Sequence, residues 1–292
     1  MSVQGLPGKV AGSATPAAQR LRGMGSAPPL LASSAVEGLG EADAALLRDR
    51  VVIVVMPAYN AAKTLAATWR AIPSAWVHDV ILVDDNSQDS TVRVANRLRL
   101  RVIRHPHNVG YGGNQKTCYL EALRMGADVV VMLHPDGQYD PALIPELVRP
   151  ILLGTSDMVL GSRFLNPGGA LQGGMPRYKF IANRALTWIE NRILASRFSE
   201  LHTGYRAYSR RFLETVPFLR NSNDFTFDSQ IIAQAVALRQ RVSEVAVRTR
   251  YFPQASSATF KQSVVYGVKT LWTMAQLLAH RMHLRRSKLF SL

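Results

Sequence analysis

The chain is 292 residues long and 47% hydrophobic, with one cysteine and 35 Lys and Arg against 20 Asp and Glu, a net charge of +15. Such a chain buries a core for one large α/β domain or two small ones without staples. Cys118 alone excludes an intrachain disulfide, fits a reducing cytoplasmic compartment and reads as packing rather than as a nucleophile. The charge is uneven, 16 basic against 14 acidic residues over 1–176 and 19 against 6 over 177–292, which implies a phosphorylated substrate or an acidic membrane surface ahead of nucleic acid, for which no binding signature is present.

Residues 1–45 are rich in Gly, Ala, Ser and Pro and lack a positive segment followed by an apolar one, so they read as a disordered tail and not as a signal peptide. Residues 41–50 allow a short lead-in helix. The β-branched run 51–56 predicts a first strand ending at Pro57-Ala-Tyr-Asn60, followed by a helix over 62–71. A second strand over 79–83 ends in Asp84-Asp85-Asn86-Ser87, and Asp89-Ser90-Thr91 starts a helix running to 98. A short strand over 101–104 precedes the loop His107-Asn-Val-Gly-Tyr-Gly-Gly-Asn114, which opens a helix to Met125.

Residues 129–133 form an unbroken apolar run, read as a strand buried on both faces, and the chain then turns abruptly polar at His134-Pro-Asp-Gly-Gln138. Pro135 and Gly137 make this a rigid turn that projects His134 and Asp136 together at a strand's carboxyl end, where ligands of open α/β sheets bind. Beyond it come a helix to about 153, a strand over 158–160, a Gly-rich loop over 166–174, and a helix over 180–196 with Ile181, Ala185, Ile189 and Ile193 on one stripe. Residues 204–209 read as a strand at the far side of the sheet. A helix over 228–240, a last strand over 242–247, a basic aromatic loop over 248–260 and a final helix over 261–283 complete the chain. The regular alternation predicts a doubly wound, mostly parallel α/β sheet flanked by helices.

The informative polar residues sit at three strand ends on one edge of that sheet. A carboxylate there suits hydrogen bonds to a nucleoside, and an Asp beside a second ligand suits a divalent cation on a pyrophosphate. Gly110, Gly112 and Gly113 are candidates for letting backbone N–H groups approach phosphate, although the loop matches no P-loop pattern.

These segments resemble glycosyltransferase family 2, nucleotide-sugar enzymes of the GT-A fold, and within it the branch of dolichyl-phosphate mannosyltransferase and bacterial polyprenyl-phosphate transferases. The matching pieces are Val54 to Asn60 of VVMPAYN, ILVDDNSQDST, NVGYGGNQKTCYLEAL, MLHPDGQYDP, GSRF and TGYRAYSRRFL, spread in order over about residues 51–260. The resemblance implies a GT-A domain over 46–260; the residues beyond it, 261–292, read as an amphipathic helix and basic tail. It puts Pro57, Tyr59 and Asn60 around the nucleotide, Asp84 and Asp85 on base and ribose, and Lys116 in the substrate-binding set. Asp136 and Gln138 face metal and pyrophosphate. His134 stands where the family has the first Asp of an Asp-x-Asp, so it is either a ligand favouring Mn²⁺ over Mg²⁺ or a strand-end residue bonded to backbone.

In the polyprenyl-phosphate branch the acceptor is already an anion and needs cations instead of a base. Arg163, Arg177, Arg248 and Arg250 fall where the resemblance implies acceptor-phosphate contacts, with Asp136 and Arg163 as the catalytic pair. Arg206 reads as structural. Asp224 and Asp228 read as a helix start, or as a base should the acceptor be a hydroxyl. The expected activity is inverting transfer from a GDP- or UDP-sugar to a polyprenyl phosphate; the alternatives are a hydroxyl acceptor and a weakened nucleotide-sugar-binding protein. The expected location is cytoplasmic and peripheral on the membrane's cytoplasmic face. There the terminal helix, with Val264, Val265, Val268, Leu271, Trp272, Ala275 and Leu278 near helical spacing and a basic end at Arg281, Arg285, Arg286 and Lys288, either lies in the interface or packs on the domain.

Overall fold

The computed structural model describes residues 39–251 and 260–291; most of the expected N-terminal tail lies outside them. Seven strands, β1 (Val52–Ala58), β2 (Asp79–Asp84), β3 (Arg101–Arg104), β4 (Val129–Met132), β5 (Met158–Ser162), β6 (Arg206–Ser209) and β7 (Val242–Ala246), form one sheet in the order β3-β2-β1-β4-β6-β5-β7. Between them run α1 (Glu41–Leu47), α2 (Leu65–Arg70), α3 (Thr91–Arg97), α4 (Tyr111–Arg124), α5 (Ile144–Leu152), α6 (Gly169–Gln172), α7 (Arg177–Leu194), α8 (Arg210–Thr215), α9 (Phe227–Ala237) and α10 (Phe260–Arg281).

Every residue of β1 is buried, as expected of a central parallel strand covered on both faces. The pleat divides its side chains. Ile53 and Val55 join Ile81, Val83, Cys118, Tyr119 and residues of α9 and α10 in one cluster, while Val52, Val54 and Met56 join Val80, Leu82 and the Ile144, Leu147, Val148 face of α5 in the other. Fully burying a Val or Ile side chain is worth roughly 1.5–3 kcal/mol, so this doubly covered strand anchors the edge that carries the site. Cys118 is among the core residues, where burial pushes its thiol pKa well up.

The expected doubly wound, mostly parallel sheet is present, with one change of place. The strand expected at the far side is β6, and it lies inside the sheet, antiparallel to β4 on one side and to β5 on the other. Its 206–208 side chains are buried. An antiparallel strand needs no crossover helix, so the chain returns from α7 directly into the gap between β4 and β5.

On α10 the buried side is Thr270, Thr273, Met274 and Leu277, whereas Val264, Val265, Val268, Leu271, Trp272 and Leu278 are exposed, so of the two placements expected for this stripe the one packed on the domain is not found. Arg281, Arg285, Arg286 and Lys288 are exposed, but the residues after them are tied down: Leu289 and Phe290 are buried, Gln234 Nε2 donates to the Leu289 carbonyl at 2.9 Å and Arg220 to that of Lys288 at 2.7 Å. On α7, similarly, Ile181 and Ala185 face outward and Ile189 and Ile193 are half-buried; the buried positions are Thr187, Glu190 and Leu194.

Candidate active site

Because β1, β2 and β4 are parallel and in register, their carboxyl ends meet on one edge, Ala58 opposite Asp84 and Val55 opposite Met132. The loops leaving β1 and β2 are zipped together. Asn60 N donates to Ser87 Oγ at 2.8 Å, Ala61 N to Thr91 Oγ1 at 2.8 Å, and Gln88 N to Asn60 Oδ1 at 2.9 Å. Asn60 thus holds the loop, in a left-handed backbone conformation (φ 54°) that Asn tolerates, while the ring of Tyr59 stays exposed and Pro57 is buried at the end of β1.

The two adjacent aspartates divide their work. Asp85 accepts from Val109 N at 2.8 Å, from Gly110 N at 3.1 Å and pairs with His105 Nδ1 at 2.9 Å, so it pins the loop before α4. Asp84 accepts from Ser87 N through Oδ2, and its buried Oδ1 has no hydrogen-bond partner among the described residues. An orphaned buried carboxylate oxygen is costly unless something donates to it; of the pair, Asp84 is the one that keeps an uncommitted oxygen.

The glycine loop serves the protein and not a phosphate. Gly110 N bonds Asp85 and Gly112 N donates to the Asn223 carbonyl at 2.8 Å. A Cβ on Gly112 would come within 2.3 Å of the Ser222 carbonyl oxygen, so glycine is required by the close passage of residues 222–224. Lys116 is likewise spent: its Nζ donates to Asn221 O and, at 2.7 Å, to Asn223 Oδ1. The start of α4 is thereby clamped to the segment leading into α9.

At the end of β4, Gly137 (φ 74°) and a hydrogen bond from Gln138 N to Asp136 Oδ1 at 3.0 Å fix the carboxylate in an Asx turn. The His134 ring stacks on Tyr111, 5.6 Å between centroids, and a Cβ on Gly204 would sit 2.9 Å from its Nε2. Burial lowers its pKa, so the imidazole is neutral. Tyr111 OH donates to Asp228 Oδ2 at 2.9 Å and lies 3.3 Å from His134 Nε2. A neutral imidazole keeps one ring nitrogen with a lone pair, which a metal needs. Among the described residues no group of three His, Cys, Asp or Glu is placed to hold a metal. His134, Asp136 and Gln138 fit a cation only as part of a shell completed by substrate oxygens, the arrangement that cations bound to phosphates commonly adopt.

Asp228 is heavily bonded. Beside Tyr111 it accepts from Gln115 Nε2 at 3.2 Å and pairs with Arg206 at 3.1 Å. Arg206 is fully buried; burial opposes its charge, and Asp228 restores it, raising its pKa. Arg206 thus sits in the interior as a structural partner of Asp228, while Asp228 also lines the cavity described next.

His134, Asp136 and Gln138 open into a cavity of about 530 Å³ walled by α7 and α10. Arg163 lines it, but not as a bare cation. Burial would lower its pKa, yet Glu200 raises it: Nε lies 2.8 Å from Glu200 Oε1, and Glu200 is fully buried. The guanidinium also donates to Tyr251 OH at 2.5 Å and to the His202 carbonyl at 2.8 Å. Arg177, Arg248 and Arg250 have exposed side chains and do not line the cavity; the 248–251 segment instead passes behind Gln138, whose carbonyl accepts from Arg250 N at 3.0 Å.

The cation missed in the sequence is Lys179. It lines the cavity two residues beyond the expected Arg177, and its pKa is lowered by burial and then by neighbouring Arg163. Asn183, one turn on, also lines it and donates to Glu200 Oε1 at 2.9 Å. Helical spacing from Arg177 was the only available signal, because a residue and its neighbour two further on lie on different faces. His202 Nε2 is 2.9 Å from buried Glu190 of α7 and Nδ1 is 2.9 Å from Tyr266 OH of α10, which ties the two walls to the loop carrying Gly204.

The profile of "Glycosyl transferase family 2" matches residues 53–216, more than half of the chain. Similar sequences include a UDP-N-acetylglucosamine–dolichyl-phosphate N-acetylglucosaminyltransferase from Methanococcus voltae, 25% identical and covering 70% of this chain and 88% of that protein. Another is the polyprenol monophosphomannose synthase of Mycolicibacterium smegmatis, 26% identical and covering 72% and 82%. Among solved structures, glucosyl-3-phosphoglycerate synthase from Mycobacterium tuberculosis, in complex with Mn²⁺, UDP and phosphoglyceric acid, superposes with a TM-score of 0.63 at 18% identity over 80% of each chain, a likeness of fold. With the sheet edge, the Asp136 turn and the adjoining cavity in place, these matches make the chain a glycosyltransferase, and it belongs to glycosyl transferase family 2.

Proposed function

We propose that this chain is an inverting transferase that moves a sugar from a nucleotide-sugar to a polyprenyl phosphate. The observation that carries the reading is the cavity. It begins at Asp136 and Gln138, has Arg163, Lys179 and Asn183 at its polar end, and continues between apolar residues of α7 and α10 such as Leu186, Ile189, Val264 and Leu271. A phosphate with a hydrocarbon tail matches that sequence of surfaces, and the relatives named for dolichyl- and polyprenol-phosphate chemistry support it.

In this reading Asp84 receives the base or ribose of the donor, and Asp136 faces its diphosphate. The acceptor phosphate oxygen attacks the anomeric carbon as the bond to the diphosphate oxygen breaks, and the electron pair leaves with the nucleoside diphosphate. The acceptor is already ionised, so Asp228, which is engaged with Tyr111, Gln115 and Arg206, is not needed as a base. Lys179 and the Arg163–Glu200 unit hold the acceptor phosphate in line. A divalent cation supplies charge stabilisation on the leaving group when bound; Asp136 and His134 are the residues to hold it, which favours Mn²⁺ over Mg²⁺.

The test is transfer of radiolabelled sugar from a panel of UDP- and GDP-sugars to a short-chain polyprenyl phosphate, with phosphoglycerate and simple glycans as competing acceptors. Label in the lipid phosphate, lost in Asp136→Asn, is the expected result. Label only in a hydroxyl acceptor overturns the reading.

A further inference from the structure

Arg163 stands where an anionic acceptor is expected, yet most of its hydrogen-bonding capacity is already used. Nε–H donates to Glu200 at 2.8 Å, the two N–H groups of Nη2 go to Glu200 and, at 2.8 Å, to the His202 carbonyl, and one N–H of Nη1 goes to Tyr251 OH at 2.5 Å. A guanidinium has five N–H groups in all. Among the described residues a single Nη1–H is left, so Arg163 by itself cannot grip a phosphate with two parallel bonds, the arrangement for which arginine is otherwise suited.

Tyr251 has the second donor. Its hydroxyl oxygen accepts from Arg163, which leaves the hydroxyl proton for another partner, and no described residue accepts it. Burial, opposed by Arg163 and aided by Tyr139 and Glu200, pushes the phenol up to about 12, so the proton stays on the oxygen at neutral pH. A hydroxyl that accepts a bond from a guanidinium is polarised into a stronger donor. The backbone beneath the ring is stitched down on two sides: Tyr251 N donates to the Gly173 carbonyl at 2.9 Å, and Arg250 N to that of Gln138 at 3.0 Å. A Cβ on Gly173 would come within 2.3 Å of the Thr249 carbonyl oxygen, so glycine there lets the segment close against the loop before α7. Arg163 and Tyr251 both line the cavity, together with Gln138 and Lys179.

We propose that the remaining Nη1–H of Arg163 and the O–H of Tyr251, borne on atoms 2.5 Å apart, form a composite two-donor fork for the acceptor phosphate. Each donates to a different oxygen of one phosphate group. Glu200 makes no contact with the ligand; by occupying Nε and Nη2 it leaves Nη1, the nitrogen beside Tyr251, as the one available. The inference deepens the function proposed above and rests on it only for the identity of the acceptor. A phosphate on a polyprenyl chain and one on a small soluble molecule present the same pair of oxygens.

The experiment compares the full chain with Tyr251→Phe, using a short-chain polyprenyl phosphate, the corresponding uncharged polyprenol and phosphoglycerate as ligands. Tyr251→Phe should raise the acceptor KM, and weaken calorimetric binding of the short-chain phosphate, about tenfold or more, the size of one hydrogen bond to an anion. Affinity for UDP or GDP and for the polyprenol should not change. In a second arm a ring-fluorinated tyrosine replaces Tyr251 alone, which keeps the hydroxyl and its bond to Arg163; its fluorine resonance should shift with the phosphate and not with the polyprenol. Unchanged phosphate affinity in Tyr251→Phe overturns the proposal, as does an equal loss for the polyprenol, which would make the ring a packing contact, or a loss of nucleotide affinity, which would move Tyr251 to the donor. A fluorine resonance indifferent to phosphate overturns it even if Tyr251→Phe does not fold. Transfer to polyprenyl phosphate that Tyr251→Phe leaves intact removes the fork and keeps the function. Tyr251-dependent binding of phosphoglycerate, with no transfer to lipid phosphate by the unsubstituted chain, upholds the fork and removes the polyprenyl assignment.

Discussion

The two ends of the site are built by different means. At the strand-end edge, proposed above as the donor edge, carboxylates are held by backbone N–H groups: Asp85 by Val109 and Gly110, Asp84 by Ser87, Asp136 by Gln138. At the far end of the cavity, proposed as the acceptor end, side chains hold side chains across long stretches of sequence, Arg163 with Glu200 and Tyr251, and His202 with Glu190 and Tyr266. Backbone donors at the ends of packed parallel strands are fixed by the sheet itself. A buried ion pair is fixed only while both partners are present, so the acceptor end should be the more fragile to single substitutions and the donor edge the more robust.

The sharpest way to break that comparison is to remove Glu200. Glu200→Ala leaves Arg163 buried without its counter-charge, and loss of one partner of a buried pair costs roughly 3–5 kcal/mol; denaturant unfolding should show it. A fall below 1 kcal/mol would mean that Arg163 relaxes to solvent and that the acceptor end is no more brittle than the donor edge. Arg163→Ala carries the same penalty from the other side, so its effect on acceptor use is interpretable only beside its stability.

Next in size is Asp136→Asn, which keeps the shape of the turn but removes the charge facing the diphosphate. We expect transfer to drop about a hundredfold or more, in the range for deleting one electrostatic stabiliser, with the melting temperature nearly unchanged. A large loss of stability instead would place Asp136 in the scaffold.

A paired experiment then separates the two ends. Lys179→Ala should raise the acceptor KM about tenfold and leave nucleotide binding alone, while Asp84→Asn should weaken nucleotide binding by a similar factor, hydrogen bonds to charged groups being worth about 1.5–3 kcal/mol. Calorimetric titration of UDP and GDP checks the second, and steady-state kinetics the first. Equal effects of both variants on nucleotide would merge the two ends into one.

The smallest effect concerns His134. Burial lowers its folded pKa, so the folded state resists protonation and the unfolded chain does not. Its contribution to stability is therefore complete above the unfolded imidazole value, about 6.5, and declines as pH falls below it toward the folded value. Thermal unfolding should shift slightly downward on moving from neutral to mildly acidic buffer, and His134→Gln should flatten that slope. An unchanged slope would mean that another group dominates.

Much was legible without coordinates. The continuous apolar runs of β1, β2 and β4 announced a buried parallel sheet, and the abrupt polar residues after them announced where those strands end, with Asp84 and the Asp136 turn on one edge, because strand periodicity and turn chemistry are local properties. The antiparallel seat of β6 between β4 and β5 was not legible, since the four residues Arg206-Ala-Tyr-Ser209 carry no continuous apolar run and read the same at an edge or at the centre. Whether a polar group is available or already committed was decided only by tertiary contacts. Asp84 and Asp85 are neighbours of one chemical type, yet one keeps an orphaned oxygen and the other is consumed by Val109, Gly110 and His105. Lys116 and the glycines of its loop bind residues 221–223, more than a hundred positions away. The apolar stripe of α10 was visible as a stripe, but its direction was not: periodicity reports that a helix has two faces, and only the packing of the helix against α9, with Met274 and Leu277 in the core, determines which face is turned inward.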